Sequence, residues 1–170
     1  MKMNISIPTE WEDVTLGEFV ALSKLDINDF SNELDYYVRM LKIFGNTDID
    51  DIIEFIKVSD IIDISNQMSF MKAAPRVLDK KNIKIDGVTY KLIDNMNEIT
   101  LGEYITIETL IEKDKLNSVS AIPAILSVVL RPENEDFDSN LCTSRIELFK
   151  EKLSIEDVLG MSVFFWTGVR

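Results

Sequence analysis

The sequence contains no histidine. That absence removes histidine triads, histidine general bases and histidine metal ligands together. Cysteine occurs once, as Cys142, so no intrachain disulfide framework can form and the chain fits a reducing compartment. Cys142 reads as a small, partly buried residue. The six glycines stand apart from one another, at Gly17, Gly45, Gly87, Gly102, Gly160 and Gly168, and build no phosphate-cradling loop. GxSxG, CxxC and HExxH are absent. A lone cysteine without a nearby base leaves nucleophilic catalysis with no candidate set, and no pair of carboxylates stands out. Long apolar runs are missing too: Val163-Phe164-Phe165-Trp166 is typical of the longest, and nothing is long enough to span a bilayer.

Positive charge is the other scarcity. Eighteen Lys and Arg face thirty Asp and Glu, a net charge of −12. Phosphate binding needs clustered cations to displace counterions, so direct nucleic-acid binding is not expected. Lys72, Arg76, Lys80 and Lys81 form the local basic cluster, and they read as a solvated connector. The opening "MKMNISIPTEWEDV" has one lysine, early acids and no apolar h-region, unlike a secretory signal.

What is present is enough apolar material for a core: 46% of the 170 residues, with 28% charged. The clearest motif occurs twice. Thr15-Leu16-Gly17-Glu18 recurs as Thr100-Leu101-Gly102-Glu103. A threonine followed three residues later by glutamate is a capping box, in which each side chain satisfies a backbone N–H that the helix start leaves orphaned. Val14 and Ile99 precede the two caps as candidate staples. Glycine costs a helix roughly 1 kcal/mol against alanine, so its place in both copies predicts a close packing partner at each.

The surrounding sequence extends the match. At the same offset Ile5, Ile7, Trp11, Asp13 and Val14 lie over Tyr90, Leu92, Met96, Glu98 and Ile99. Both stretches alternate apolar and polar before a helix start. "NIKIDGVTYKLI" is a hairpin signal, because Asp86-Gly87 supplies the positive φ of a tight turn. Downstream, "IEFIK" at 53–57 resembles "IELFK" at 146–150, and "MSFM" at 68–71 resembles "MSVF" at 161–164. Ser59 and Ser154 form a second candidate N-cap pair. Two further helices are expected: one over "FSNELDYYVRMLKIFG", with Leu34, Tyr37, Val38 and Leu41 on one face, and one over "SVSAIPAILSVVLRP". The second is apolar nearly all round and should be central.

The expected fold is therefore mainly α, of the α+β kind, built from two tandem strand-plus-helices units. The first covers 1–79; the second covers 80–170 and opens with a hairpin. The units are expected to pack as one globular domain, with a small antiparallel hairpin or three-stranded sheet around 3–7, 82–85 and 88–93. Thr15, Glu18, Thr100 and Glu103 are structural caps. No catalytic, cofactor-binding or metal-ligating residue is assigned, no cofactor is implied and no enzyme is expected. "NTDIDD" and "DFDSN" hint at Ca²⁺ ligation but lack the twelve-residue loop. Trp11, Phe164, Phe165 and Trp166 are the partner-binding candidates, since large aromatics dominate interface hot spots.

Four stretches carry a family resemblance: "IPTEWEDVTLGEFVAL", "ITLGEYITIE", "AILSVVLRP" and "VLGMSVFFW". Together they resemble small virion morphogenesis proteins of tailed phages of gut Bacteroidetes, including the crAss-like group. The resemblance implies a virion structural or interaction protein of the neck, tail or packaged interior. Its partners would be other phage structural proteins, or further copies in a homo-oligomer, with neither nucleic acid nor membrane contacted directly. The place implied is the virion, or the host cytoplasm during assembly. A tail assembly chaperone absent from the mature particle is the alternative. A carboxylate-based enzyme or regulatory module is the second.

Overall fold

The computed structural model describes residues 6–45, 52–54 and 56–168, with the backbone alone at Met96 and at 162–168. A 3-10 turn at Trp11–Asp13 leads into α1 (Leu16–Leu22). Then come α2 (Glu33–Gly45) and α3 (Val58–Gln67), which runs on into a 3-10 stretch at Met68–Lys72. An extended segment joins β1 (Asn82–Ile85), paired with β2 (Val88–Leu92). A 3-10 turn at Met96–Glu98 precedes α4 (Leu101–Lys113). The chain closes with α5 (Ile122–Val129), β3 (Leu130–Pro132), α6 (Cys142–Lys152) and α7 (Ile155–Gly168). The protein is mainly helical with one three-stranded antiparallel sheet of order β1-β2-β3.

Local sequence signals account for most boundaries. Both capping boxes form: the Glu18 and Glu103 backbone N–H groups donate to Oγ1 of Thr15 and Thr100 at 3.2 and 3.3 Å. The two glutamates accept from the Thr15 and Thr100 N–H groups at 2.8 and 2.7 Å. The hairpin turns at Asp86 and Gly87, with φ of 47° and 86°, the paired positive values that a two-residue turn requires. Ser154 accepts from the Asp157 N–H at the start of α7, as a cap should. Ser59 does not cap α3. That helix begins earlier, at Val58, and the Asp60 carboxylate accepts from the Lys57 N–H instead. Of the predicted face of α2, Leu41 is buried, Tyr37 and Val38 are half-buried and Leu34 is exposed; Met40 and Phe44 are buried beside them.

The third strand is Leu130–Pro132. Its Leu130 pairs with Leu92 and its Pro132 with Tyr90. Of the expected strand at 3–7, residues 3–5 lie outside the described residues, and Ser6 and Ile7 are irregular. The apolar run that reads as one helix to Pro132 turns extended at Leu130, because its last three residues pair with β2. Edge position makes the strand tolerable for Pro132. Tandem duplication is not shown. Trp11–Asp13 and Met96–Glu98 match as 3-10 turns before capped helices, but "MSFM" is 3-10 and "MSVF" lies within an α-helix.

One apolar cluster runs through both halves of the chain, from Val14, Leu16 and Met68 to Leu92, Leu126, Phe149 and Met161. As expected, α5 is central: seven of its eight residues are buried. Phe149 meets Tyr90 edge-on at 5.5 Å between ring centres, a favoured aromatic geometry. The entry to α1 is laced to the α6–α7 junction. The Leu16 N–H donates to the Leu153 carbonyl at 2.7 Å, and the Ile155 N–H donates to the Val14 carbonyl at 2.9 Å.

The connector is solvated as expected, with Lys72, Arg76, Lys80 and Lys81 all exposed, and it also forms a strap over α7. Arg76 donates from Nε and Nη2 to the Glu156 carboxylate at 3.1 and 2.9 Å. Lys80 pairs with Asp157, and Lys81 with Asp94. At Gly160 a Cβ would fall 1.5 Å from the Leu78 carbonyl oxygen, so only glycine lets the strap cross there. Three of the four clustered cations are thus paired within the chain.

Candidate interaction surface

The surface of α4 is set from beneath by a buried charge. Glu103 is 3% exposed and its Oε1 meets Arg131 Nη1 of β3 at 2.8 Å. Its other oxygen, Oε2, closes the capping box. Arg131 also lies over the Phe137 ring, 5.8 Å from its centre, within cation–π range. One carboxylate therefore starts the helix and fixes its roll against the sheet. Ile107 is buried on the same inward side, and Leu110 and Ile111 are half-buried.

With the roll fixed, apolar side chains remain outside. Leu101 is 73% exposed, Tyr104 41% and Ile105 54%. They lie at i, i+3 and i+4, neighbours on one helical face. Scattered surface leucines are ordinary, but a contiguous apolar group is a feature of contact surfaces. Sequence reading missed these three residues. The available signal was that α4 carries apolar residues on both sides, Leu101 and Ile105 as well as Ile107 and Ile111, which one core cannot absorb.

A second apolar feature lies between α2 and α3. A groove of about 240 Å³ is lined by Glu33, Leu34, Tyr37, Ile61, Ile62 and Ser65, among others. Leu34 and Ile62 are exposed at its lips. Inside it the Ser65 hydroxyl donates to the Tyr37 hydroxyl at 2.9 Å.

Of the four aromatic candidates, Trp11 is packed within the chain. Its ring meets Phe19 and Phe70 edge-on at 5.9 and 5.3 Å, and its indole N–H donates to the Ala73 carbonyl at 2.8 Å. Phe164, Phe165 and Trp166 belong to the last turns of α7, where side chains lie outside the description.

Several titratable groups serve structure. In "DFDSN", Asp138 accepts from the Asn140 N–H at 2.9 Å and caps a 3-10 turn. "NTDIDD" falls mostly outside the described residues. Among the described residues, no group of three or more Cys, Asp or Glu is gathered to hold a metal ion, and no helix is long and apolar enough to cross a membrane. Burial raises the Cys142 thiol, which is enclosed beside Ser127. Arg145 is buried and paired with Glu135; burial lowers its pKa, and its Nη1 has no hydrogen-bond partner among the described residues. The Glu156 carboxyl is held below its ordinary range by the hydrogen bond from Arg76.

Fold and surface together define a mainly helical α+β protein with apolar side chains displayed on helical faces. No protein family, curated protein or solved structure matches this chain.

Proposed function

We propose that this chain is a non-enzymatic structural and interaction protein of a tailed-phage particle, working in the neck, tail or packaged interior through protein–protein contacts. One observation carries the contact-based part: the exposed group Leu101, Tyr104 and Ile105 on α4, held outward by the ion pair of buried Glu103 with half-buried Arg131. Stable protein contacts centre on such apolar anchors. The assignment to a phage particle rests on the sequence resemblance.

Quantitative mass spectrometry of purified particles of the encoding phage tests this reading. The expected result is this chain at a fixed ratio to the portal protein. Abundance in infected cells with absence from particles would overturn the structural role. It would favour a tail assembly chaperone, for which the α2–α3 groove offers a place to shield an apolar segment of a client.

A further inference from the structure

The outward stripe of α4 has two halves of different chemistry. Leu101, Tyr104 and Ile105 occupy its first part, and Glu108 and Glu112 continue the same line toward the C-terminus. All five are exposed. Residues at i, i+4, i+7 and i+11 share one helical face, so Leu101, Ile105, Glu108 and Glu112 form a row with Tyr104 beside it. At 1.5 Å per residue the row is roughly 16 Å long.

Each half works against the isolated helix. The apolar half exposes a leucine and an isoleucine to water. The acidic half sets two like charges at i and i+4, where they repel. It also places Glu112, in the last turn, where the helix macrodipole disfavours negative charge. Among the described residues, neither glutamate has an ion-pair partner.

We propose that this stripe docks an amphipathic helix of another protein, one carrying apolar side chains at one end and lysine or arginine at the other. The inference rests on the contact-based reading above and adds the partner's chemistry. Charge complementarity selects that partner. A second copy of this chain does not fit. Two α4 helices laid parallel set Glu108 and Glu112 against the same glutamates. Laid antiparallel, each acidic pair covers the other copy's Leu101 and Ile105. Both arrangements bury charge without a counterion, and the net charge of −12 adds repulsion between copies. A basic amphipathic helix meets neither obstacle. The acidic chain attracts it, and its apolar end covers Leu101, Tyr104 and Ile105.

Gly102 leaves room for it. A Cβ there would meet nothing nearer than its own cap's Thr100 Oγ1, at 4.0 Å. At the matching Gly17, α6 already fills the equivalent space: the Lys150 carbonyl oxygen lies 3.0 Å from the Cβ position.

The test uses the full chain and two fluorescent helical peptides with the same apolar half, one ending in lysines and one in glutamates. Anisotropy is read at low salt and at about 0.15 M. The lysine peptide is expected to bind at least about tenfold tighter, with the preference shrinking at the higher salt. The double variant Glu108→Lys with Glu112→Lys should reverse the preference, and Leu101→Asp should weaken both peptides. Thermal melts confirm that each variant is folded. Equal binding of the two peptides, or a lysine preference that survives the double variant, overturns the proposal. So does a dimer of the native chain that sediments as a monomer after Leu101→Asp. Incorporation of the same variants into particles separates the two readings. Loss with Leu101→Asp but not with the double lysine variant would leave the contact function standing and remove the basic helix. No effect of either would remove both.

Discussion

Leu16 and Leu101 follow the same threonine, precede the same glycine and stand three residues before an aromatic ring. Leu16 is fully buried, whereas Leu101 is exposed. The capping boxes above them differ by no more than about a tenth of an ångström in each bond. The difference comes from what crosses each helix. α6 and α7 pack on α1, with the Leu16 N–H tied to the Leu153 carbonyl. α4 packs on α5 and is rolled by the Glu103–Arg131 pair, which turns Leu101 outward. A local motif specifies where a helix starts. It does not specify which side of that helix meets water.

The sharpest way to break this comparison is to truncate both leucines. Leu16→Ala should cost about 3 kcal/mol, the middle of the range for a buried leucine. Leu101→Ala should stay within about 0.5 kcal/mol, as surface changes do. Chemical denaturation of the two variants decides it; equal losses would mean that α4 is covered.

Glu103→Gln comes next. Glutamine keeps the size of the cap but removes the charge opposite Arg131. A loss of about 2 kcal/mol is expected, because breaking one partner of a largely buried pair leaves the other uncompensated. Glu18→Gln, with no ion pair beneath it in the described residues, should cost a few tenths of a kcal/mol. A urea titration of both variants reads the difference.

The glycines separate by sign. Gly102→Ala meets open space and should stabilise by up to about 1 kcal/mol, roughly 2–4 °C in melting temperature for a chain of this size. Gly17→Ala places a methyl against the Lys150 backbone, and the gain should vanish or reverse. The expectation of a close packing partner at both glycines therefore holds at Gly17 and fails at Gly102.

The smallest effect concerns the strap over α7. The Glu156 carboxyl is lowered mainly by its hydrogen bond from Arg76. A lowered carboxylate stabilises the fold above its unfolded pKa, about 4.3, and that stability is lost as pH falls through the folded value. Hydrogen exchange between pH 7 and about 3.5 should show residues 76–80 opening earlier than α5 as acid is added. Glu156→Gln should flatten that dependence; an unchanged profile would assign the acid sensitivity elsewhere.

Short-range chemistry was legible in the residues alone. A threonine and a glutamate three apart close a capping box where a helix starts on the threonine, as at Thr15 and Thr100; Thr9 and Thr109 have a glutamate at the same spacing and bond Asp13 and the Ile105 carbonyl instead. Asp86-Gly87 turns a hairpin because few other pairs accept both positive φ values. The apolar run at α5 has no polar side to show to water, so it must be central. Long-range choices were not legible. Leu130–Pro132 became a strand because β2 offered an edge to pair with. Lys80 and Arg76 became a strap because Glu156 and Asp157 lay opposite, eighty and seventy-seven residues along the chain from Arg76 and Lys80 respectively. The sequence alone settled where the capped helices α1, α4 and α7 start, where the hairpin turns and which helix is innermost, since each depends on neighbours a few residues apart. Only the tertiary structure decided that Leu16 is sealed and Leu101 displayed, because burial depends on which distant backbone comes to lie across the helix.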